Sequence, residues 1–579
     1  MRLSSVRVIT GISSLLFAAA AWRVGPHASS DFTAEAQTAK PAAAPQLHPV
    51  SASAADVTKP GSKPAEPRPL AAPGTEIYTA KRGEAIPTIA HRYLGKTSYL
   101  TSSELADAIR AVNHKSDASN ILKANENIII PGILAARITE KTIPVAKDFE
   151  VRAIYLTGIM AASDHGIRII KHWREVGGNA VVFDIKDSDG SVNIPFEHPL
   201  LGEHKIYLHD VPKFVHFLHQ QNMHAIARIA IFRDERLVVN HPELAVQSRK
   251  NKTAWRENGK LVWTDPSNPK VQDYDIALAK YVATLGVDEI QFDYVRFPAE
   301  GDQKDAAFVY QNDQPETTQA SCADAKQTAA TDPESNSAAN AAPDAAPKGQ
   351  ENIAHGASRG SDAKSGTKSR RDDRNAACHA PQRTDVITAF LKKAYAELHP
   401  TGVLLSLDVF GVMAWQRQVD LAHTGQDIVG MAHYCDVLSP MIYPSHFFGM
   451  DNIPHPGDEP AHFIGESMDR FELITKGSGV VIRPWLQAFH WRTKTYSPEY
   501  IKIQVETARA KGGIGFLFWN AANDYSKPYQ AMPEMKAGNF KQEPNSKDAP
   551  KDTGKDNPKY FRGDELPATT TQAALSPGN

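Results

Sequence analysis

The chain has 579 residues, with 64 Lys and Arg against 66 Asp and Glu and a formal net charge of -2 at pH 7. That balance supplies no global positive field and argues against nucleic acid as a partner. Three cysteines, Cys322, Cys378 and Cys435, are too few for a disulfide-built scaffold and lack the paired spacing of a zinc site. Two readings of Cys322 and Cys378 stay open, a disulfide in an exported chain or free thiols.

In chain order, Arg2 and Arg7 precede an apolar run from Val8 to Trp22. A basic start followed by a short apolar stretch reads as an export signal. The run is shorter than the roughly 20 residues that span a bilayer, and small residues around Ala18 to Ala21 suit cleavage. Residues 1–24 are therefore a signal peptide or a retained membrane anchor, and both outcomes stay open. Either one places the remaining chain outside the cytoplasm: in the periplasm, in the cell envelope, or anchored to the membrane. Residues 25–74 are Ala, Pro, Ser and Thr with few large apolar side chains. Such a composition cannot offset the entropy of ordering and predicts a disordered linker. The same reasoning predicts a disordered insertion at 301–380 and a disordered tail at 536–579.

Residues 75–135 form a small ordered unit. A short strand at 77–80, a Gly turn, a helix with Ile86, Ile89, Ala90 and Tyr93 on one face, a second helix with Leu105, Ile109 and Val112, and a closing strand at 128–130 predict β-α-α-β. Tyr78, Gly83, Ile86, Ile89, Ala90, Asn113 and Pro131 fall on positions of the LysM pattern, and the unit resembles that module. It departs from the pattern with Glu84 for Asp, Ala85 for Thr and a longer connection from Lys96 to Ser102. The resemblance implies binding to peptidoglycan or another N-acetylglucosamine-containing glycan.

Between residues 148 and 535, eight β-like apolar runs alternate with helical stretches: 151–158, 180–187, 224–232, 287–298, 403–411, 436–444, 481–490 and 513–520. Continuous apolar strands with helical crossovers need a parallel sheet covered by helices, and eight such units predict a (β/α)8 TIM barrel. A doubly wound sheet would carry a Gly-rich phosphate turn after its first strand, where this chain has TGIMAASDHG.

Active sites of such barrels sit at the C-terminal ends of the strands. Those ends are polar here: Asp184, Lys186 and Asp187 on the second run, Asp293, Tyr294 and Arg296 on the fourth, and Asp408 on the fifth. Tyr443 ends the sixth, Gln487 and His490 the seventh, and Trp519, Asn520 and Asp524 the eighth. A carboxylate within an apolar strand costs several kcal/mol in desolvation unless paired or solvated, so three of them at matching positions point to one site. Strand alternation puts Gln291, Asp293 and Val295 on one face and Phe292 and Tyr294 on the other.

The segment DYVRFP, together with YLTGIMA, FDIKD, SLDVFG, LSPMIYPS and FLFWNA, resembles the "putative glycosyl hydrolase domain" family of bacterial envelope proteins over about 300 residues. That resemblance implies a glycosidase-like barrel. The chitinase pattern D-x-x-D-x-D-x-E, laid on Asp288, meets Gln291, Asp293 and Val295, so its general-acid Glu is missing. The α-amylase type is similar in placement, with carboxylates at the ends of strands four and five, here Asp293 and Asp408. Its Arg two residues before the nucleophile is replaced by Gln291.

Glycoside hydrolysis needs one carboxylic acid and one carboxylate. Asp293 is assigned as nucleophile or base and Asp408 as acid, with Asp184 a third candidate for either role or for a sugar hydroxyl. Asp187, Arg296, Tyr443, Gln487, His490, Trp519 and Asn520 are candidate sugar contacts, and Trp485 and Trp491 offer flat apolar faces. Retaining and inverting geometries both remain open. His209, His216, His219 and His224 have no matching further ligand, so neither a metal nor any other cofactor is expected. The sequence thus reads as an exported glycoside hydrolase of an envelope or extracellular polysaccharide, with a non-catalytic glycan-binding scaffold as the alternative. A metal-dependent deacetylase would need a metal constellation that is not found.

Overall fold

The computed structural model describes residues 72–116, 120–312 and 381–536. The expected export segment, most of the linker, most of the insertion and most of the tail lie outside the described residues, with Cys322 and Cys378. Cys435 is buried and free. No helix among the described residues is long and apolar enough to cross a membrane.

The N-terminal unit has the order β1 (Thr75–Thr79), α1 (Ile86–Tyr93), α2 (Ser102–Val112) and β2 (Asn127–Pro131), with β1 and β2 antiparallel. Its core is the apolar face of both helices, Ile86, Ile89, Leu105 and Ile109, closed over Ile128 and Ile130. Asn113 explains itself physically. Its amide donates to the carbonyls of Ile109 at 2.7 Å and Ile129 at 2.8 Å, and its oxygen accepts from the Ile129 N–H at 2.9 Å. One side chain thereby satisfies the end of α2 and ties it to β2.

Eight parallel strands follow: β3 (Val151–Leu156), β4 (Ala180–Lys186), β5 (His224–Ala230), β6 (Glu289–Asp293), β7 (Leu404–Phe410), β8 (Val437–Ile442), β9 (Trp485–Gln487) and β10 (Gly515–Trp519). Each pairs with the next, and β10 pairs with β3, so the sheet closes into a TIM barrel. Closure removes both edges, which an open sheet would leave unpaired. The major covering helices are α3 (Asp164–Glu175), α4 (Val211–Gln220), α5 (Pro269–Ala283), α6 (Arg383–Leu398), α7 (Pro460–Thr475), α8 (Pro498–Ala510) and α9 (Ser526–Lys536). Ser163, Asp210, Asn268 and Ser497 accept first-turn backbone N–H groups of α3, α4, α5 and α8. The N-terminal unit rests on this helical layer, where Lys213 of α4 donates to the carbonyls of Leu94 at 2.8 Å and Tyr99 at 3.2 Å.

The strands are buried on both faces, which is why they read as unbroken apolar runs. At the N-terminal end of the barrel the interior is ionic. Arg483 grips Glu289 at 2.9 and 2.8 Å, and His224 adds a 3.1 Å contact. Burial alone would raise the Glu289 carboxyl, yet Arg483 and His224 outweigh it and hold the group at about 2. Across this end runs the chain between the two units. Thr142 donates to the Val287 carbonyl at 2.8 Å, the Ile143 N–H to Asp288 at 2.8 Å, and Glu140 pairs with His216 at 2.6 Å and His219 at 3.3 Å. His216, His219 and His224 thus serve the barrel's base.

Two sequence expectations are corrected. The insertion does not leave the fold at residue 301: Ala306–Ala307 pairs with Gln247–Ser248, and order continues to residue 312. The reason is local, since Asp305 accepts from the Ser248 hydroxyl at 2.7 Å and the Lys250 N–H at 2.9 Å, while Phe308 and Tyr310 pack on Phe297. Strand alternation also stops at Asp293. Tyr294 has φ 55, a left-handed conformation rare for an aromatic residue, so Val295 turns into the outer core instead of the barrel.

Glu289→Gln removes one partner of a buried ion pair and leaves Arg483 uncompensated, which costs about 3–5 kcal/mol. Chemical denaturation should show that loss as a lowered midpoint with unchanged slope. Glu397→Gln, which breaks the exposed pair with Lys280, should leave the midpoint in place.

Candidate active site

Inward positions alternate along each strand, so the ladder sets which side chains share a level. Asp184 pairs with Arg228, and Arg228 with Gln291. Asp293 stands one inward position higher on β6. The β6–β7 ladder runs from Leu404↔Glu289 to Leu407↔Phe292, and its next step sets Asp408 beside Asp293.

Arg228 rises from its lower level into the centre of these acids. Its Nη1 donates to Asp184 at 2.6 Å, Nη2 to Asp293 at 2.5 Å and Nε to the same Asp293 oxygen at 3.2 Å, while Nε stands 4.0 Å from Asp408. Tyr155 and Trp519, stacked at 4.1 Å, present their rings to the guanidinium at 5.6 and 5.3 Å. Only 2% of Arg228 is exposed, so its charge is sustained by the carboxylates and rings alone.

Above this group opens a cleft of about 600 Å³. Trp485, Phe489, Trp491, Trp519 and Tyr443 build one apolar side. Asp187, Arg233, Tyr294 and Arg296 supply polar groups elsewhere in its lining, and Asp293 and Asp408 also line it. A mostly apolar cleft with a few convergent polar groups is the usual form of a small-ligand or sugar site.

The carboxyl groups differ sharply in environment. Asp408 is buried, faces Asp293, and accepts one hydrogen bond, from the Trp485 indole at 2.7 Å. Burial and the neighbouring Asp293 charge raise it well above the ordinary range against the pull of Arg228. Asp184 is raised to about 7, by burial first and then despite Arg228, with Asp187 adding to the rise. The Tyr443 phenol is also pushed far up, by burial and by Asp408 and Asp293.

Of the residues singled out in the sequence, Asp293, Asp408, Asp187, Arg296, Tyr443, His490, Trp519 and Asn520 line the cleft. Two do not. Asp184 is fully buried beneath it, accepting from the Tyr155 hydroxyl at 2.5 Å and from Arg228, and has no free face for a sugar. Gln487 is spent on backbone: its oxygen accepts from Ser445 N–H at 3.2 Å and its amide donates to the Phe489 carbonyl at 3.0 Å. Asn520 reaches the cleft wall, yet its amide donates to the carbonyls of Ala488 and Asp524, so it shapes the loop. Lys186 leaves the interior at a bulge and pairs with Asp234 and Asp275, each at 2.8 Å, behind the sheet. Sequence reasoning missed Tyr155, Arg228, Arg233 and His446. An arginine within the run HAIARIAIF was the available signal, because a charge inside a buried strand requires partners there.

Residues 153–525 match the model of the family described as "Putative glycosyl hydrolase domain". No curated protein matches the chain. Among solved structures, similarity extends to a hypothetical protein from Ruminiclostridium thermocellum ATCC 27405, at 35% identity over 30% of this chain and 92% of that one, TM-score 0.25. The glycoside hydrolase domain of PgaB (BpsB) from Bordetella bronchiseptica is similar at 12% identity over 66% of this chain and 99% of that one, TM-score 0.43. A chitinase from Chromobacterium violaceum ATCC 12472 is similar at 12% identity over 67% and 99%, TM-score 0.35.

Arg228→Met removes the charge that opposes the burial-driven rise of Asp184, so the folded-state pKa of Asp184, already raised to about 7, moves further above its unfolded value near about 4. A raised carboxyl leaves stability intact below the unfolded pKa and withdraws it as pH climbs toward the folded pKa. The variant should therefore fall furthest behind the wild type at pH 7.5 and least at pH 4.5 in thermal unfolding. A deficit equal at both values would show that Arg228 contributes packing alone.

Proposed function

The chain belongs to the "Putative glycosyl hydrolase domain" family, and from that premise we propose that it is an exported glycoside hydrolase of an envelope or extracellular polysaccharide, working through Asp293 and Asp408. The observation that carries this reading is the pairing of Asp408, its carboxyl raised well above the ordinary range, with an Asp293 bonded to Arg228, both on the floor of an aromatic cleft. Two adjacent carboxyls in opposite protonation states are what acid-assisted glycosidic cleavage requires.

In this mechanism a sugar stacks on the Trp485, Trp491 and Trp519 side of the cleft. Asp408 gives its proton to the departing glycosidic oxygen while Asp293 attacks the anomeric carbon or takes a proton from attacking water. Arg228 holds Asp293 through Nη2 and Nε, and the Trp485 indole fixes the Asp408 carboxyl against the barrel wall. The Arg228 Nε distances to Asp293 and Asp408 limit those two oxygens to a separation of about 7 Å or less, which admits the roughly 5 to 5.5 Å of a retaining pair and the short end of the inverting range. In the retaining course Asp293 is a nucleophile that forms a glycosyl-enzyme intermediate, and Asp408, left ionised, activates the water that resolves it.

Targeting follows from the rest of the chain. The basic-then-apolar residues 1–24 support export, and the LysM-like β1-α1-α2-β2 unit supports attachment to peptidoglycan or another N-acetylglucosamine glycan. The polysaccharide itself is the substrate partner.

Asp293→Asn should abolish release of reducing ends from the susceptible polysaccharide. Asp408→Asn should lose about 10²- to 10⁴-fold on that glycan but far less on an aryl glycoside, whose leaving group needs no proton. The alkaline fall in wild-type rate, set by deprotonation of Asp408, should also vanish in Asp408→Asn on the aryl substrate. Equal loss on both substrates would remove Asp408 from the acid role. Binding of glycan without release by the wild type would favour the scaffold alternative.

A further inference from the structure

Two cations of the cleft make no direct ion pair among the described residues. Arg296 is 8% exposed and lies between the rings of Trp263 and Phe410, with its guanidinium carbon 4.5 Å from each centroid. Its one side-chain hydrogen bond goes to the Phe297 carbonyl at 3.1 Å. Arg233 donates to the Tyr294 hydroxyl at 2.9 Å, and both guanidiniums border the Tyr294 ring, at 5.2 and 5.6 Å. Among the described residues no carboxylate lies within 4.0 Å of either one. The acids nearby are committed elsewhere: Asp293 to Arg228, and Glu257 to the Trp263 indole and the N–H groups of Ala299 and Glu300.

An unpaired guanidinium with most of its five donors unused is costly to bury, and a second one beside it adds repulsion. Arg296 bears that cost: burial lowers its pKa and outweighs the more distant Glu257, Tyr294 and Asp293, which raise it, while Arg233 lowers it further. The backbone contributes as well, since the φ 55 of Tyr294 is what carries the chain around so that Tyr294 and Arg296 both reach the cleft. Strain, aromatic clamping and unmatched positive charge converge immediately after Asp293. A planar guanidinium fork is shaped for carboxylate, sulfate or phosphate oxygens, which would complete the missing charge balance.

We propose that Arg233 and Arg296 form an anion subsite beside Asp293, and that the polysaccharide cleaved here is acidic, carrying a carboxylate or an ester sulfate or phosphate on the sugar bound in that subsite. This deepens the hydrolase reading and rests on it for the presence of a sugar in the cleft. Neutral sugar lacks the charge to match the pair, whereas an acidic residue is anchored next to the bond to be broken.

The test is calorimetric titration of the full chain with oligogalacturonate, its methyl ester, chondroitin and chondroitin sulfate oligosaccharides, alongside reducing-end release from the same set. The subsite predicts tighter binding of acidic members than of neutral ones, weakening as salt is raised, and a loss of about tenfold or more in that preference in Arg233→Gln. Arg233 is half-buried, so Arg233→Gln should keep the wild-type unfolding temperature; Arg296→Lys, which keeps charge but loses the planar fork, should lose part of the preference. Preference for uronates identifies carboxylate as the anion, and preference for the sulfated member identifies the ester. Equal affinity for acidic and neutral members, binding of none of them, or an Arg233→Gln preference equal to wild type overturns the subsite. Acidic binding without release would keep the subsite and remove the hydrolase reading, while release from neutral glycan undiminished in Arg233→Gln would do the reverse.

Discussion

A single buried guanidinium organises the functional end of this barrel. Arg228 sits among Asp184, Asp293 and Asp408, and among the described residues its charge is the one that approaches all three within 4.0 Å. Without it, three carboxyls in a shared low-dielectric space would all retain protons or force the site open. With it, the contacts are unequal: two bonds to Asp293, one to Asp184 and a 4.0 Å approach to Asp408. Asp408, given the least of Arg228, is driven well above its ordinary range, and Asp184, buried and bonded to it once, is raised to about 7.

The barrel makes such an arrangement affordable by layering its interior. Glu289, Arg483 and His224 close the N-terminal end as a self-satisfied ionic group, and the chain from Glu140 to Ile143 fastens across it. Val151, Ala153, Ala180, Val182, Ile226 and Leu517 form an apolar cluster inside the barrel. The carboxyls and Arg228 then occupy the top, where a cleft gives access to ligand. The polar groups open to the cleft gather at the C-terminal end of the strands, where charges can meet both one another and a substrate.

Much of this was legible in the chain. The eight runs stood out because strands buried on both faces must be apolar throughout, and each run contains its strand. Asp293 and Asp408 stood out for the converse reason, as charges where apolar residues were expected. Asp184 met the same criterion, yet it lies under the cleft, because sequence shows that a carboxyl needs a partner without showing that Tyr155 and Arg228 consume its free face. Gln487 and Asn520 were misread for a related reason: the loop carbonyls they bind are brought near only by the fold. Arg228 is instructive. The amylase-like arginine expected two residues before Asp293 is Gln291, and the residue paired with Gln291 on the neighbouring strand is Arg228. The charge is present, supplied across the ladder, a relation that spacing along one strand cannot reveal.

The claim on which the rest depends is that burial keeps Asp408 protonated at neutral pH beside an Asp293 bonded to Arg228. Isotope-edited infrared difference spectroscopy between wild type and Asp408→Asn, with 13C-labelled aspartate, tests it directly. A protonated-carboxyl band present at pH 7 in the wild type and missing from Asp408→Asn is the expected result. A wild-type spectrum at pH 7 with only carboxylate bands assignable to Asp408 would contradict it, and with it the assignment of Asp408 as acid.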